Sequence, residues 1–145
     1  MKKIFTIMSL SVLFFVLVTG CSKRTYYDNG GGWMSKESGI VVYADTYCPY
    51  YVIETYRGYT IIRATGGFTP WEGDEIFGDL SRYGFREFYN YTDDSFIRGE
   101  VTDYWLSYGE AQYIIDNLCY TYNRVEGKGV DKKVIRKDVP KNQRR

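Results

Sequence analysis

GDEIFGDL (73–80), YGFREFYNY (83–91) and SFIRGEVTDYW (95–105) are three neighbouring stretches in which side chains of opposite character take alternate places. In the first, Ile76, Gly78 and Leu80 share one face, with Glu75, Phe77 and Asp79 on the other. In the second, Tyr83, Phe85, Tyr89 and Tyr91 alternate with Gly84, Arg86 and Asn90, and Glu87-Phe88 breaks the pattern. In the third, Ile97, Gly99, Val101 and Trp105 face one way and Arg98, Glu100 and Thr102 the other. Successive side chains of a strand point to opposite faces, so a period of two indicates half-buried antiparallel strands. Thr92-Asp93-Asp94-Ser95 is a turn by composition. Glycines at 78, 84 and 99, inside the strand patterns, suggest the bulges or bends that a curled sheet or small barrel requires.

Upstream, Ile40 to Asp45, Tyr50 to Tyr56 and Tyr59 to Thr65 read as further strands, the last two joined by a tight turn at Arg57-Gly58. Gly66 to Pro70 reads as a loop. Downstream, Ser107-Tyr108-Gly109-Glu110 has the form of a capping box, in which hydroxyl and carboxylate each satisfy a free backbone N–H. Ala111, Ile114, Ile115, Leu118 and Cys119 then recur at helical spacing, with Gln112, Asp116 and Asn117 on the other side. The fold expected is α+β and mainly antiparallel: a small curled sheet or barrel of about six strands with one C-terminal helix. An OB-like or SH3-like barrel fits this length, an analogy that carries no function.

The leader decides the compartment. Met1-Lys2-Lys3 is a positive n-region, and Ile4 to Val18 is an apolar stretch too short for a membrane span of about 20 residues. It ends in Val18-Thr19-Gly20-Cys21, which resembles the lipobox of bacterial lipoproteins. The resemblance covers this leader alone, and the competing reading is an ordinary signal peptide or an anchor helix that happens to end in cysteine. It implies that residues 1–20 are removed as a signal peptide and that Cys21 is the lipid attachment. Ser22, rather than Asp, implies the outer membrane where two membranes exist. The domain would then lie in the periplasm or at the cell surface, held to the membrane by its acyl chains. Residues 21–38, with Gly30-Gly31-Gly32, read as a flexible tether, 39–126 as the globular domain and 127–145 as a basic, disordered tail.

Charge is uneven along the chain. Residues 127–145 hold eight Lys or Arg against Asp131 and Asp138, while 21–126 hold nine basic and sixteen acidic residues. The tail reads as a solvated segment or as a contact for anionic headgroups or another envelope polymer. The compartment argues against nucleic acid as a partner.

With Cys21 lipidated, Cys48 and Cys119 are expected to form a disulfide in an oxidising compartment, the alternative being two buried thiols. The chain has no histidine, which removes Cys-His and Ser-His-Asp catalysis and His-containing zinc sites. The densest acidic cluster is Glu72, Asp74, Glu75 and Asp79, but adjacent strand residues point to opposite faces, so turn and surface roles explain it better than a carboxylate pair. It also lacks the spacing of a calcium loop, and Gly30 to Gly32 lacks that of a phosphate loop. No catalytic residue, metal or cofactor is expected.

The remaining signal is aromatic. Sixteen tyrosines and three tryptophans follow the leader. Tyr47, Tyr50 and Tyr51 surround Cys48-Pro49, and Phe68 and Trp71 flank Thr69-Pro70. These five rings are the candidate binding aromatics, against the plainer reading that tyrosines fill the faces of a small sheet. The function expected is a non-catalytic, lipid-anchored domain contacting another envelope protein. The alternatives are a glycan- or peptidoglycan-binding module, with Trp71 as a stacking platform, and a small periplasmic inhibitor of a hydrolase.

Overall fold

The computed structural model describes residues 31–66, 68–125 and 134–142, with helix side chains described as far as Cys119. The lipobox and Cys21 lie outside the described residues, as does tail segment 127–133. Among the described residues there are six strands: β1 (Glu37–Asp45), β2 (Cys48–Thr55), β3 (Gly58–Ala64), β4 (Glu75–Gly78), β5 (Gly84–Asn90) and β6 (Ser95–Leu106). One helix, α1 (Tyr108–Val125), follows. The strands close into a barrel in the order β1-β2-β3-β6-β5-β4, every pair antiparallel. Closure leaves no unpaired sheet edge. The expected α+β barrel with one C-terminal helix is the observed fold.

Because the strands alternate in direction, the connections fall on two rims. The β1–β2 turn, the β3–β4 loop (65–74) and the β5–β6 turn form the upper rim. The β2–β3 turn, the β4–β5 loop (79–83) and the end of β6 form the lower rim.

The interior is filled by Val41, Ile53, Ile62, Ile76, Phe88 and Val101 with their neighbours. Gly78 and Gly99 make room for them. A Cβ at Gly78 would come within 2.6 Å of the Phe88 ring, and one at Gly99 within 2.5 Å of Ile62 Cγ2. No register shift falls at either glycine; the shifts lie in β1 and in β6 against β3. The glycines therefore serve packing, not the expected bulges. In β5 it is Phe88, not Phe85, that points inward, so the sequence break at Glu87-Phe88 marks no bulge.

A second core lies outside the barrel. Val42, Tyr43, Val52 and Ile61 face outward from β1–β3 and meet Ala111, Ile115 and Cys119 of α1. The capping box is formed: Ser107 N–H donates to Glu110 Oε2 at 2.8 Å, and Glu110 N–H to Ser107 Oγ at 3.4 Å. The Cys48–Cys119 disulfide joins the start of β2 to the helix, with Cα atoms 5.4 Å apart.

The expected disordered tail is corrected for its described part. Ile135 is fully buried in the outer core. Its N–H donates to Gln112 Oε1 (2.8 Å), and its C=O accepts from the Tyr108 hydroxyl (3.2 Å). Arg136 N–H bonds Val42 C=O, and Asn142 N–H bonds Gly73 C=O. Arg136 pairs with Glu72 at 3.3 Å and Lys141 with Glu75 at 2.6 Å. Arg136 and Lys141 thus meet acids of their own domain, and Lys137 lies over the Tyr108 ring at 4.3 Å. One buried isoleucine in a charged run has no periodicity to announce it.

Candidate functional site

The structure separates the five aromatic candidates. Tyr51 lies inside the barrel, where its hydroxyl has no hydrogen-bond partner among the described residues, and burial raises its pKa above the ordinary phenol value. Tyr50 packs against the outer core. Both belong to β2, which starts at Cys48, so they point to opposite sides of the wall rather than around one turn. Neither is available as a platform. Tyr47, Phe68 and Trp71 are exposed on the upper rim.

The acidic cluster is likewise dispersed. Asp74 is fully buried and accepts from Trp71 N–H and Asn90 Nδ2 on one oxygen and from Asn142 Nδ2 on the other, each at 3.0 Å. It ties loop, strand and tail together. Glu72 and Glu75 pair with the tail, and Asp79 with Lys36 at 3.7 Å.

The most organised exposed side chains lie on the lower rim. Between β3 and β6 the register runs Tyr59↔Leu106, Ile61↔Asp103, Ile62↔Val101, so β6 carries an extra residue twice. Each extra residue inverts the alternation. Tyr104 therefore packs against the interior cluster, and Leu106 reaches the outer core beneath α1. Trp105, between them, has φ of 59°, the left-handed region that a bulky residue rarely enters. Opposite it, Gly58 has φ of 123°, and a Cβ there would lie 2.5 Å from Leu106 O. Only glycine lets the β2–β3 hairpin approach this bulge.

The indole is fixed in place. Its N–H donates to Ser81 Oγ at 2.8 Å, and that hydroxyl donates to the Glu37 carboxylate, whose oxygens lie 2.8 and 2.7 Å away. Tyr104 meets the Trp105 ring edge-on at 5.1 Å, and Tyr83 lies 4.6 Å from Tyr104. The Arg57 guanidinium sits 5.2 Å from the Trp105 ring and 5.1 Å from that of Tyr56. Tyr56, Tyr83 and Trp105 are 77%, 59% and 51% exposed. The β2–β3 turn, the β4–β5 loop and β6 thus each deliver a ring to this rim, with Arg57 between Tyr56 and Trp105 and Tyr104 between Trp105 and Tyr83. Such a surface offers flat apolar faces, ring edges and a delocalised positive charge.

Sequence reasoning missed this site. Residues 56, 83 and 105 meet only because the barrel closes. One local signal was available: Tyr104-Trp105-Leu106 breaks the alternation with three large apolar residues in a row. Strict alternation puts Trp105 on the face of Ile97 and Val101, and the two bulges move it to the surface. No protein-family model, curated protein or solved structure matches the chain.

Proposed function

We propose that the chain is a bacterial envelope lipoprotein, anchored through Cys21, whose barrel is a non-catalytic docking module for another envelope protein. The observation that carries this reading is Trp105, exposed in a left-handed bulge and held by Ser81 and Glu37. A left-handed non-glycine residue costs roughly 1–2 kcal/mol, about what burying half of the ring returns, so stability alone gives no reason to hold tryptophan there. Tryptophan, tyrosine and arginine are also the residues that dominate binding energy at protein interfaces. The leader supports the anchor, and the disulfide is consistent with an oxidising compartment.

A photo-crosslinking residue in place of Tyr83 in living cells tests this reading. The expected result is a discrete protein adduct that disappears with Trp105→Ala, while the same residue in place of Tyr113, exposed on α1, gives none. Adducts only to lipid, or equal adducts from both positions, would remove the proposal. Adducts to glycan would transfer the rim to the stacking-platform reading.

A further inference from the structure

A different surface lies across the outer face of β5 and β6 and the loop above it. Phe68, Phe85 and Phe96 are 47%, 64% and 52% exposed there. Phe68 and Phe96 flank a groove of about 310 Å3 that also includes Glu87 and Arg98. Phe85 borders a second groove, of about 220 Å3, beside the same Arg98–Glu87 ion pair. These rings carry no polar atom, unlike the tyrosines and tryptophan of the lower rim. Phe96 and Trp105 stand nine residues apart in β6, at most roughly 30 Å along an extended strand, with Trp105 near its lower end.

The chain leading to Cys21 leaves from the phenylalanine face. The Trp33 ring meets Phe96 edge-on at 5.6 Å, and Gly31, two residues earlier, begins the described chain. Nine residues, Ser22 to Gly30, separate Gly31 from Cys21, and such a length spans no more than about 35 Å. A bilayer that holds Cys21 is therefore within that reach of the domain's point of attachment. Met34, also exposed, adds a fourth apolar side chain beside that point. Trp71 and Tyr47, exposed on the upper rim, are of the ring types enriched where membrane meets water. Arg98, paired with Glu87, and Arg86, whose guanidinium donates to the C=O groups of Tyr83 and Phe85, border the same grooves.

We infer that the face bearing Phe68, Phe85 and Phe96 rests on the phospholipid surface, with Trp71 at its upper border and Trp105 beyond its lower end. The inference rests on the lipid-anchor reading. The acyl chains supply the attachment, and this face supplies its orientation.

The test uses the full lipidated chain, reconstituted into phosphatidylethanolamine–phosphatidylglycerol vesicles with brominated acyl chains. Trp33→Phe/Trp105→Phe leaves Trp71 as the reporter, and Trp33→Phe/Trp71→Phe leaves Trp105. Trp71 emission is expected to be quenched several-fold more than that of Trp105; equal quenching, or the reverse order, overturns the inference. Adding Phe85→Ser, at the most exposed of the three positions, should weaken Trp71 quenching with unchanged far-UV circular dichroism. Undiminished quenching in a folded Phe68→Ser/Phe85→Ser variant would also overturn it. A chain that fails to float with the vesicles removes the lipid anchor and this inference together. One that floats with Trp71 unquenched removes the inference alone.

Discussion

The two walls of the barrel obey different sequence rules because they have different neighbours. The β1–β3 wall is covered outside by α1 and the tail, so it is buried on both faces and reads as nearly continuous apolar runs: Val41-Val42-Tyr43, Tyr51-Val52-Ile53 and Ile61-Ile62. Among the described residues the β4–β6 wall meets α1 at the lower end of β6, where Leu106 packs beneath the helix, and above that point it alternates, as Ile97, Gly99 and Val101 do between Phe96, Arg98 and Glu100. Two-sided burial produces runs, and one-sided burial produces alternation. The wall with the weaker alternation is therefore the one that carries a second layer. The open wall keeps surface for other uses.

The largest way to break the difference is to uncouple the covered wall. Replacing Cys48 and Cys119 together by alanine should cost about 4 kcal/mol, the chain-entropy value for a loop of this length. The loop spans 71 residues of sequence separation. Denaturant unfolding of oxidised wild type against the double variant measures it, and a loss below about 1 kcal/mol would mean that the helix holds its place without the staple. Ile135→Ala comes next. A fully buried isoleucine cut to alanine costs about 2–5 kcal/mol, while a residue in a solvated tail costs almost nothing. An unfolding midpoint unchanged by Ile135→Ala would return this segment to the status of a tail.

What could be read in advance follows from the range of the forces involved. Strands, the helix cap and the apolar stripe of α1 are local patterns, and they are legible. The Cys48–Cys119 bond follows from compartment and count. Features made by long-range closure are not legible in this way. Tyr56, Tyr83 and Trp105 have no sequence relation that announces a shared rim. Ile135 is one apolar side chain whose partner, Gln112, looks like a solvent residue of the helix until the tail arrives. Tyr50 and Tyr51 are equivalent as neighbours in the sequence, yet strand parity sends one to the outer core and the other into the barrel.

Alkaline pH gives a smaller, graded effect that falls mainly on the covered wall. Burial raises the pKa of Tyr43, with the nearby charge of Asp45 adding to it. Burial and then the hydrogen bond to Glu54 push Tyr59 up to about 12. A phenol with a raised folded pKa contributes stability that is complete below its unfolded value of about 10. The unfolded chain ionises first as pH rises, so stability falls progressively until pH passes the folded value. Ultraviolet titration should show these tyrosines ionising late and together with unfolding. Early ionisation at constant circular dichroism would place them in solvent.

The smallest expected change in stability falls on the residue that matters most to the proposed function. Trp105→Gly removes a ring that is 51% exposed, together with its contacts to Tyr104 and Arg57. It also relieves the left-handed backbone, which glycine adopts without steric cost. Each effect is about 1–2 kcal/mol, of opposite sign, so the net change in unfolding free energy should stay within about 1 kcal/mol. Partner crosslinking from the lower rim should nevertheless vanish. A folding scaffold would have little reason to keep tryptophan where glycine is nearly as stable, whereas a docking surface loses its central ring. If Trp105→Gly instead unfolds the barrel, the indole–Ser81–Glu37 chain is a structural brace. The lower rim would then have to be read as part of the core.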